Sequence, residues 1–435
     1  MARHLRLLWV TPHLPRRGVS AARERWWALL ARLAGRHRIT LLCFVDPEDR
    51  DAPADVLPPG LAAVHRVAKR YFAADDGLAM LPRTVAGAFA DPMLRGAIAE
   101  RLAAEPFDLV QYEYTEMGHL MPPAAIPTLL TVHQVSFAAE GPLWRAQGRP
   151  ARLGPVLLHR YLRELDFELR AVAAADHVVT MSAEDAARLR RFVPQLEVSV
   201  SPVGVDCAYY APMPAEPTCD LLFVGNFGHP PNADAVRFLV DDVLPRLGRP
   251  ALLRVIGRDM PPALHALARP GVVDVVGAVD DVRPHLAAAR IVAAPVRFGT
   301  GMRGKVLEAL AMGRPVVTTS VGAEGLGALP GEHLLVADDA GQFAADCRRL
   351  LEEPALAERI GAAGRALACA RFDWDIVADA HDVIYERALH TPVRGARPVV
   401  TMPHAPLRGW PGIAAGAALL TVRGLAWHLR RARAA

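Results

Sequence analysis

Along the chain, short unbroken apolar runs alternate with longer segments in which apolar positions recur at helical spacing. In the first half the runs are RLLWV (6–10), RITLLCF (38–44), LVQY (109–112), PTLLTV (127–132), HVVTM (177–181) and EVSVSP (197–202). In the second half they are DLLFV (220–224), ALLRVI (251–256), VVDVV (272–276), RIVAAP (290–295), RPVVTTS (314–320) and HLLVA (333–337). A strand with one face in water alternates apolar and polar residues, whereas a parallel strand covered by helices on both faces is apolar throughout. Segments such as RERWWALLARLAG (23–35) and ADAVRFLVDDVLPRLG (233–248) supply the helices of right-handed crossovers. CAYYAPMPAEPT (207–218) interrupts the pattern with three prolines and predicts a linker. The expected architecture is α/β: two doubly wound, Rossmann-like domains joined near 205–218. They would face each other across a cleft, because ligands of open parallel sheets lie beyond the carboxyl ends of the strands.

Length agrees with two domains, since 435 residues exceed one ordinary core. The 52% hydrophobic and 22% charged composition is that of a globular chain. A net charge of +4 argues against a dedicated nucleic-acid surface and allows an acidic small substrate or an anionic lipid face. The cysteines (Cys43, Cys207, Cys219, Cys347 and Cys369) are scattered without metal-ligand spacing and read as reduced, cytosolic thiols. The apolar run before Thr11 and Pro12 is too short for a signal peptide, and no segment has the apolar length of a membrane span. The expectation is a cytoplasmic protein, soluble or resting on a membrane surface. Residues 391–411 carry five prolines and precede GIAAGAALLTVRGLAWHLRRARAA, a small-residue helical pattern ending in clustered arginines. It reads as a packing or disordered appendage, or as an interfacial helix on an anionic membrane.

The chain contains two lysines, Lys69 and Lys305. Lys305 stands in FGTGMRGKVLEALAMG (298–313), where three glycines precede an abrupt switch to helical period. RIVAAP ends at Pro295, so this segment follows the carboxyl end of a strand. Glycines there allow close backbone approach and inward N–H groups, and the helix that follows aims its positive end at the same place. Lys305 and Glu308 are three apart and share a face of the first turn. Ammonium and amide N–H groups suit a diphosphate, and a carboxylate suits adjacent hydroxyls; together they fit a nucleotide. Taken alone the segment is also readable as a glycine-rich turn with a surface Lys–Glu pair. It is not a Walker A loop, which needs Ser or Thr where Val306 stands.

The block PVRFGTGMRGKVLEALAMGRPVVTTSVGAEGL (295–326) resembles the retaining glycosyltransferases of family 4, which have the two-domain GT-B fold. Matching pieces include TPHLPRRGVSAARER (11–25), FDLVQYEYTEM (107–117), TLLTVHQVSF (128–137), LLFVGNFGHPPNADAV (221–236) and VVGAVDDVRPHLAAARIVAAP (275–295), and the likeness spans roughly residues 5–388. It implies an N-terminal, acceptor-side domain over 1–206, a linker over 207–218 and a donor-binding domain over 219–371. A crossover helix over 372–390 would return to the first domain, and the tail over 391–435 lies outside the family pattern. It implies that Glu308 binds the donor ribose and Lys305 the diphosphate, lined by Gly299, Thr300, Gly301 and Met302. Arg258 would add a positive contact, and Gly277 to Asp281 would border the nucleobase. Gly18 would sit over the phosphates, Arg23 on the acceptor side, and His133 near the transferred sugar, although a histidine at a strand end also reads as a hydrogen-bonded structural residue. Glu113, which ends LVQY, reads equally as a contact to the acceptor and as a helix-start or salt-bridge residue. His13, Trp26 and Trp27 read as loop and packing residues. Two departures stand out. Thr300 occupies the position of a glutamate that often precedes Glu308 by eight, and Gly225-Asn226 replaces an arginine after the first strand of the second domain. Arg297 or Arg258 is the expected substitute for that charge.

The implied reaction moves a sugar from a nucleotide diphosphate to a glycan or lipid-linked acceptor, with retention and no metal or other cofactor. It points to bacterial polysaccharide or cell-surface glycan synthesis. Asp280-Asp281 and Asp338-Asp339 read as turn or helix-start residues rather than metal ligands. Two readings of the same fold stay open: a nucleotide-sugar 2-epimerase, and a non-catalytic scaffold that binds nucleotide without turnover. A dehydrogenase would need GxGxxG after the first strand, where VTPHLPRRG stands instead.

Overall fold

The structure is a computed structural model, and it describes residues 3–70, 89, 92–121, 126–138 and 154–393. The basic membrane helix expected from the sequence would fall on the tail beyond 393, outside the described residues. Among the described residues no helix is long and apolar enough to cross a membrane. The chain divides into two compact units, one formed by the residues up to Ser201 together with those from Ala378, the other by Pro202–Val377.

Among its described residues the first unit carries seven parallel strands: β1 (Arg6–Thr11), β2 (Arg38–Val45), β3 (Ala63–Ala68), β4 (Leu109–Glu113), β5 (Thr128–Val132), β6 (His177–Thr180) and β7 (Val198–Val200). Their spatial order is β3-β2-β1-β4-β5-β6-β7. Helices α1 (Ala21–Leu33), α2 (Pro92–Ala104), α3 (Gly154–Ala174) and α4 (Ala183–Phe192) form the connections. The second unit has six parallel strands: β8 (Cys219–Val224), β9 (Leu253–Ile256), β10 (Val273–Gly277), β11 (Ala289–Ala294), β12 (Val316–Thr318) and β13 (Leu335–Val336), ordered β10-β9-β8-β11-β12-β13. Its helices are α5 (Pro230–Arg237), α6 (Pro262–His265), α7 (Arg283–Ala287), α8 (Gly304–Ala311), α9 (Ala340–Glu352) and α10 (Pro354–Phe372), and α11 (Trp374–His390) leads back to the first unit. The central strands are buried from end to end, as β1 from Leu7, β4 and β5 show. That burial is the physical counterpart of their unbroken apolar sequence.

Two elements depart from the sequence reading. Strand β3, AVHRVA, is half-exposed along most of its length at the sheet's edge, so its composition lacks the apolar run that marks the others. The single helix expected over 233–248 is instead α5, a wide π-type stretch over Phe238–Val243 and a tight 3-10 turn over Leu244–Arg246. Pro245 lacks an N–H and its ring clashes with a carbonyl one turn back, so a regular helix cannot run through it.

In both sheets the strand order reverses beside the first strand, between β1 and β4 and between β8 and β11. Connections leave these paired strands in opposite directions, which opens a crevice at their carboxyl ends. Helix α8, which follows β11, is backed by α10 at Gly361, where an added Cβ would lie 2.3 Å from the Gly313 carbonyl oxygen. Gly361→Ala is therefore expected to cost about 1–3 kcal/mol through overpacking. Gly96→Ala, in the exposed interior of α2 with open space around it, is expected to gain about 0.5–1 kcal/mol. Chemical denaturation of the two variants checks the pair.

Candidate active site

In the first unit the site is built on a carboxylate at the end of a central strand. Glu113 closes β4, is fully buried, and pairs in register with Thr131 of β5. Its Oε1 accepts from Gln111 Nε2 at 2.6 Å and Thr131 Oγ1 at 3.1 Å. Its Oε2 accepts from Trp26 Nε1 at 2.9 Å and meets His133 Nε2 at 2.7 Å. Burial by itself would raise this carboxyl's pKa. The hydrogen bond and charge of His133, the Arg25 guanidinium and the Gln111 amide outweigh it and hold the group below its ordinary range. A carboxylate only accepts, so the proton of neutral His133 sits on Nε2 and the Nδ1 lone pair is left for another donor. Burial lowers the His133 pKa against the opposing pull of Glu113.

Aromatic rings enclose the imidazole. Trp26 stands edge-on to it with centroids 5.7 Å apart, and Tyr114 tilts over it at 4.4 Å. Tyr114 holds φ at +76°, a region that disfavours side chains and costs roughly 1–3 kcal/mol. The loop after His133 is anchored by Glu168 of α3, whose carboxyl oxygens accept the Ser136 and Phe137 N–H groups at 2.8 and 2.9 Å. Burial pushes the Glu168 pKa up to about 8 despite those two donors.

These contacts decide between the two readings of Glu113 and add to that of Trp26. Glu113 faces inward with all its accepting capacity used by the protein, so it orients His133 rather than presenting itself to an acceptor. Trp26 is a packing residue and also a hydrogen-bond donor to the Glu113–His133 pair. The hydrogen-bonding role carries no signal in the sequence, because an indole in an apolar helix face looks the same either way.

Arg23 is likewise turned inward. It donates to Asp49 and, at 2.8 Å, to Asp46, and the buried Lys69 ammonium pairs with Asp46 at 2.5 Å. His13, after β1, reaches the same Asp46 with Nδ1 at 2.5 Å and stacks on Trp26. The sequence expectation for Arg23 is the acceptor side; here two buried carboxylates match its charge. Gly18, at φ +71°, gives its N–H to Glu24 at 2.9 Å.

In the second unit the glycine-rich segment follows β11, at the point where strand order reverses. Gly299 and Gly301 lie at φ +111° and +82°, values that an L side chain resists, so the glycines set the course of this turn. The Thr300 carbonyl accepts from Arg303 Nη1 at 2.7 Å, and Met302 Sδ accepts the Val203 N–H at 3.4 Å. Helix α8 then begins at Gly304 with no side-chain cap on its first turn, and Lys305 and Glu308 are both half-buried on it. Lys305 Nζ donates to Asn232 Oδ1 and lies 4.5 Å from the Phe223 ring centroid. Burial, with Arg303 adding to it, pushes the lysine down to about 7 against the pull of Glu308.

Asn232 belongs to α5 and went unread in the sequence, where HPPNADAV shows only a proline-marked helix start. Its Nδ2 donates to the Asn226 carbonyl at 2.6 Å, tying α5 to the Gly225-Asn226 turn. Arg297 does not supply the charge missing from that turn. Its guanidinium grips Asp234 through two bonds of 2.8 and 2.6 Å, which neutralises it. Arg258 is exposed after β9, its carbonyl accepting the Phe227 N–H at 2.9 Å. Gly277, at φ +88°, ends β10.

Replacing Glu113 by Gln keeps the shape and removes the charge that supports protonation of His133. Glu113→Gln is expected to shift the His133 titration to lower pH, followed by histidine-selective NMR. An unchanged or higher midpoint would contradict the pairing described here.

The fold and these sites have counterparts among known proteins. The family model described as Glycosyltransferase Family 4 matches residues 24–209, and the one described as Glycosyl transferases group 1 matches 218–353. No curated protein matches the chain by sequence. Among solved structures, a sucrose-phosphate synthase from Thermosynechococcus elongatus aligns with a TM-score of 0.64 at 19% identity, covering 88% of this chain and 99% of that one. Anabaena HepE in complex with UDP aligns with a TM-score of 0.64 at 13% identity, covering 88% and 100%. A glycosyltransferase from Rickettsia africae aligns with a TM-score of 0.61 at 14% identity, covering 89% and 99%. At these identities the structural likeness establishes the fold, and the two family models, one ending at 209 and the other starting at 218, establish the kinship. The chain belongs to the family 4, group 1 glycosyltransferases and has their GT-B architecture of two Rossmann-like domains.

Proposed function

We propose that this glycosyltransferase takes its sugar from a nucleotide diphosphate and delivers it, with retention of configuration and without a metal ion, to a glycan or lipid-linked acceptor. The observation that carries the donor reading is the Gly299–Gly301 turn running into the uncapped start of α8, with Lys305 held at that start and Glu308 on the next turn. Transfer breaks the bond between the sugar's C1 and the β-phosphate oxygen, and negative charge builds on the departing diphosphate. An ammonium and the positive end of a helix, fixed in place before reaction, lower the energy of that charge. The Glu308 carboxylate would accept from the ribose hydroxyls. His133, its tautomer set by Glu113, would offer Nδ1 as a hydrogen-bond acceptor toward the transferred sugar.

HepE, one of the structurally similar proteins, has been solved with UDP and with UDP and glucose, which supports a nucleotide-sugar donor here. Retention and metal independence follow from the family resemblance, as does a place in polysaccharide or cell-surface glycan synthesis at the cytoplasmic membrane face. The basic tail would supply the membrane contact; if removal of residues 391–435 leaves membrane association unchanged, that part of the reading is lost.

Calorimetric titration of UDP, GDP and ADP, with Glu308→Ala beside the wild type, tests the donor site. One nucleotide is expected to bind in the micromolar range, and the variant to lose about 1.5–3 kcal/mol, the scale of hydrogen bonds to a charged group. Absence of binding by all three would overturn the donor reading. Transfer is expected to persist in EDTA; activity lost there and restored by Mn²⁺ or Mg²⁺ would overturn metal independence.

A further inference from the structure

Lys305 has an unusual partner for a half-buried lysine. Its ammonium donates to the side-chain oxygen of Asn232, an amide, and rests over the Phe223 ring. Among the described residues no carboxylate forms an ion pair with it. Asp234, two residues beyond Asn232 on α5, is gripped bidentately by Arg297. Phe223 of β8 brings no charge. On its own element the charged groups acting on the lysine are Arg303, which repels, and Glu308, which attracts. Asn232 is itself only 8% exposed and is fixed through Nδ2 to the Asn226 carbonyl, so its oxygen can aim in one direction. The amide therefore holds the amine in place without neutralising it, and it joins the connections that leave the two sides of the switch point, one after β8 and one after β11.

We infer that Asn232 is a positioning residue that keeps Lys305 in place with its charge unmatched, so that a bound nucleoside diphosphate completes the ion pair and binds together with a proton. The step balances simply: a buffer acid gives up a proton, an N–H bond forms at Lys305 Nζ, and the diphosphate oxygens supply the counter-charge. It rests on the donor reading given above. The direction of the lysine's pKa agrees with it, since an amine pushed down to about 7 by burial is largely unprotonated at pH 8 and is drawn back up by an anion. Affinity should then be highest below about pH 7 and fall as pH rises, because the free protein increasingly lacks the proton that the complex holds.

The test is calorimetric titration of the full chain with UDP, and with GDP and ADP in parallel, in two pH 8 buffers of different ionisation enthalpy. It is repeated from pH 7.5 to 9, above the phosphate's own titration near pH 6. The wild type is expected to take up close to one proton per nucleotide, with Kd rising toward tenfold per pH unit. Asn232→Asp supplies a carboxylate that pins the ammonium, so uptake should vanish and Kd should become flat with pH. Asn232→Ala should keep the uptake and bind about tenfold more weakly, the scale of one hydrogen bond to a charged group. Lys305→Arg, whose guanidinium is always charged, should abolish uptake and covers the case in which Asn232→Asp does not fold. Binding without proton uptake in the wild type, or uptake undiminished in Asn232→Asp and Lys305→Arg, overturns the inference while leaving the donor reading intact. Failure of all three nucleotides to bind at pH 7.5 overturns both.

Discussion

A parallel sheet brings the carboxyl ends of all its strands to one edge, and every functional feature of this chain depends on that constraint. Parallel neighbours need crossovers, crossovers here are helices, and a helix that follows a strand turns its positive end toward the same edge. Where the strand order reverses, two such connections diverge and leave room between them. In the second unit the diverging pair are the connection after β8, which leads into α5, and the connection after β11, which leads into α8. The Lys305–Asn232 bond joins the starts of those two helices. In the first unit the reversal lies between β1 and β4, and Glu113, at the end of β4, takes a bond from Trp26 of the helix that follows β1.

The same edge forces charged groups out of water, and the chain deals with this in opposite ways. Glu113 is buried with donors on both of its oxygens, and Asp46 and Asp49 are buried against Arg23 and Lys69. A buried charge is tolerable when it is paired and fully hydrogen-bonded, and removing one partner is then costly. Those clusters are therefore rigid parts of the scaffold, and the Glu113 cluster fixes which nitrogen of His133 carries the proton. Lys305 is treated differently: it receives a neutral acceptor, Asn232, and an aromatic face, Phe223. The buried charges of this chain thus differ in the chemistry of their partners, carboxylate in one case and neutral amide in the other, more than in depth of burial.

Much of the architecture was legible in the sequence because burial on both faces writes itself into composition. Unbroken runs such as RLLWV and PTLLTV correspond to strands whose side chains meet helices above and below, and twelve such runs mark twelve of the thirteen strands among the described residues. The exception, β3, is half-exposed, and its AVHRVA answers to the looser demands of an edge. The break after α5 was also written in the chain, in Pro245, but helical periodicity across 233–248 concealed it. The glycine-rich turn could be placed from sequence because the left-handed angles of Gly299 and Gly301 restrict which residues can stand there.

What the sequence by itself determined, then, is whatever a residue's identity constrains locally: strand or helix, the position of a tight turn, the presence of an ammonium beside a helix start. The partners of each charge were decided only by the tertiary structure. Arg23 and Arg297 read as groups open to a ligand and Glu113 as either a ligand contact or a salt-bridge residue, and the fold pairs them with Asp46 and Asp49, with Asp234, and with His133 and Trp26. Asn232, which read as nothing, became the residue that holds Lys305. The physical reason is range. Backbone preference and burial act over a few residues of chain, whereas an ion pair or hydrogen bond joins groups separated by tens of residues, and which pairs meet is settled when the crossovers pack.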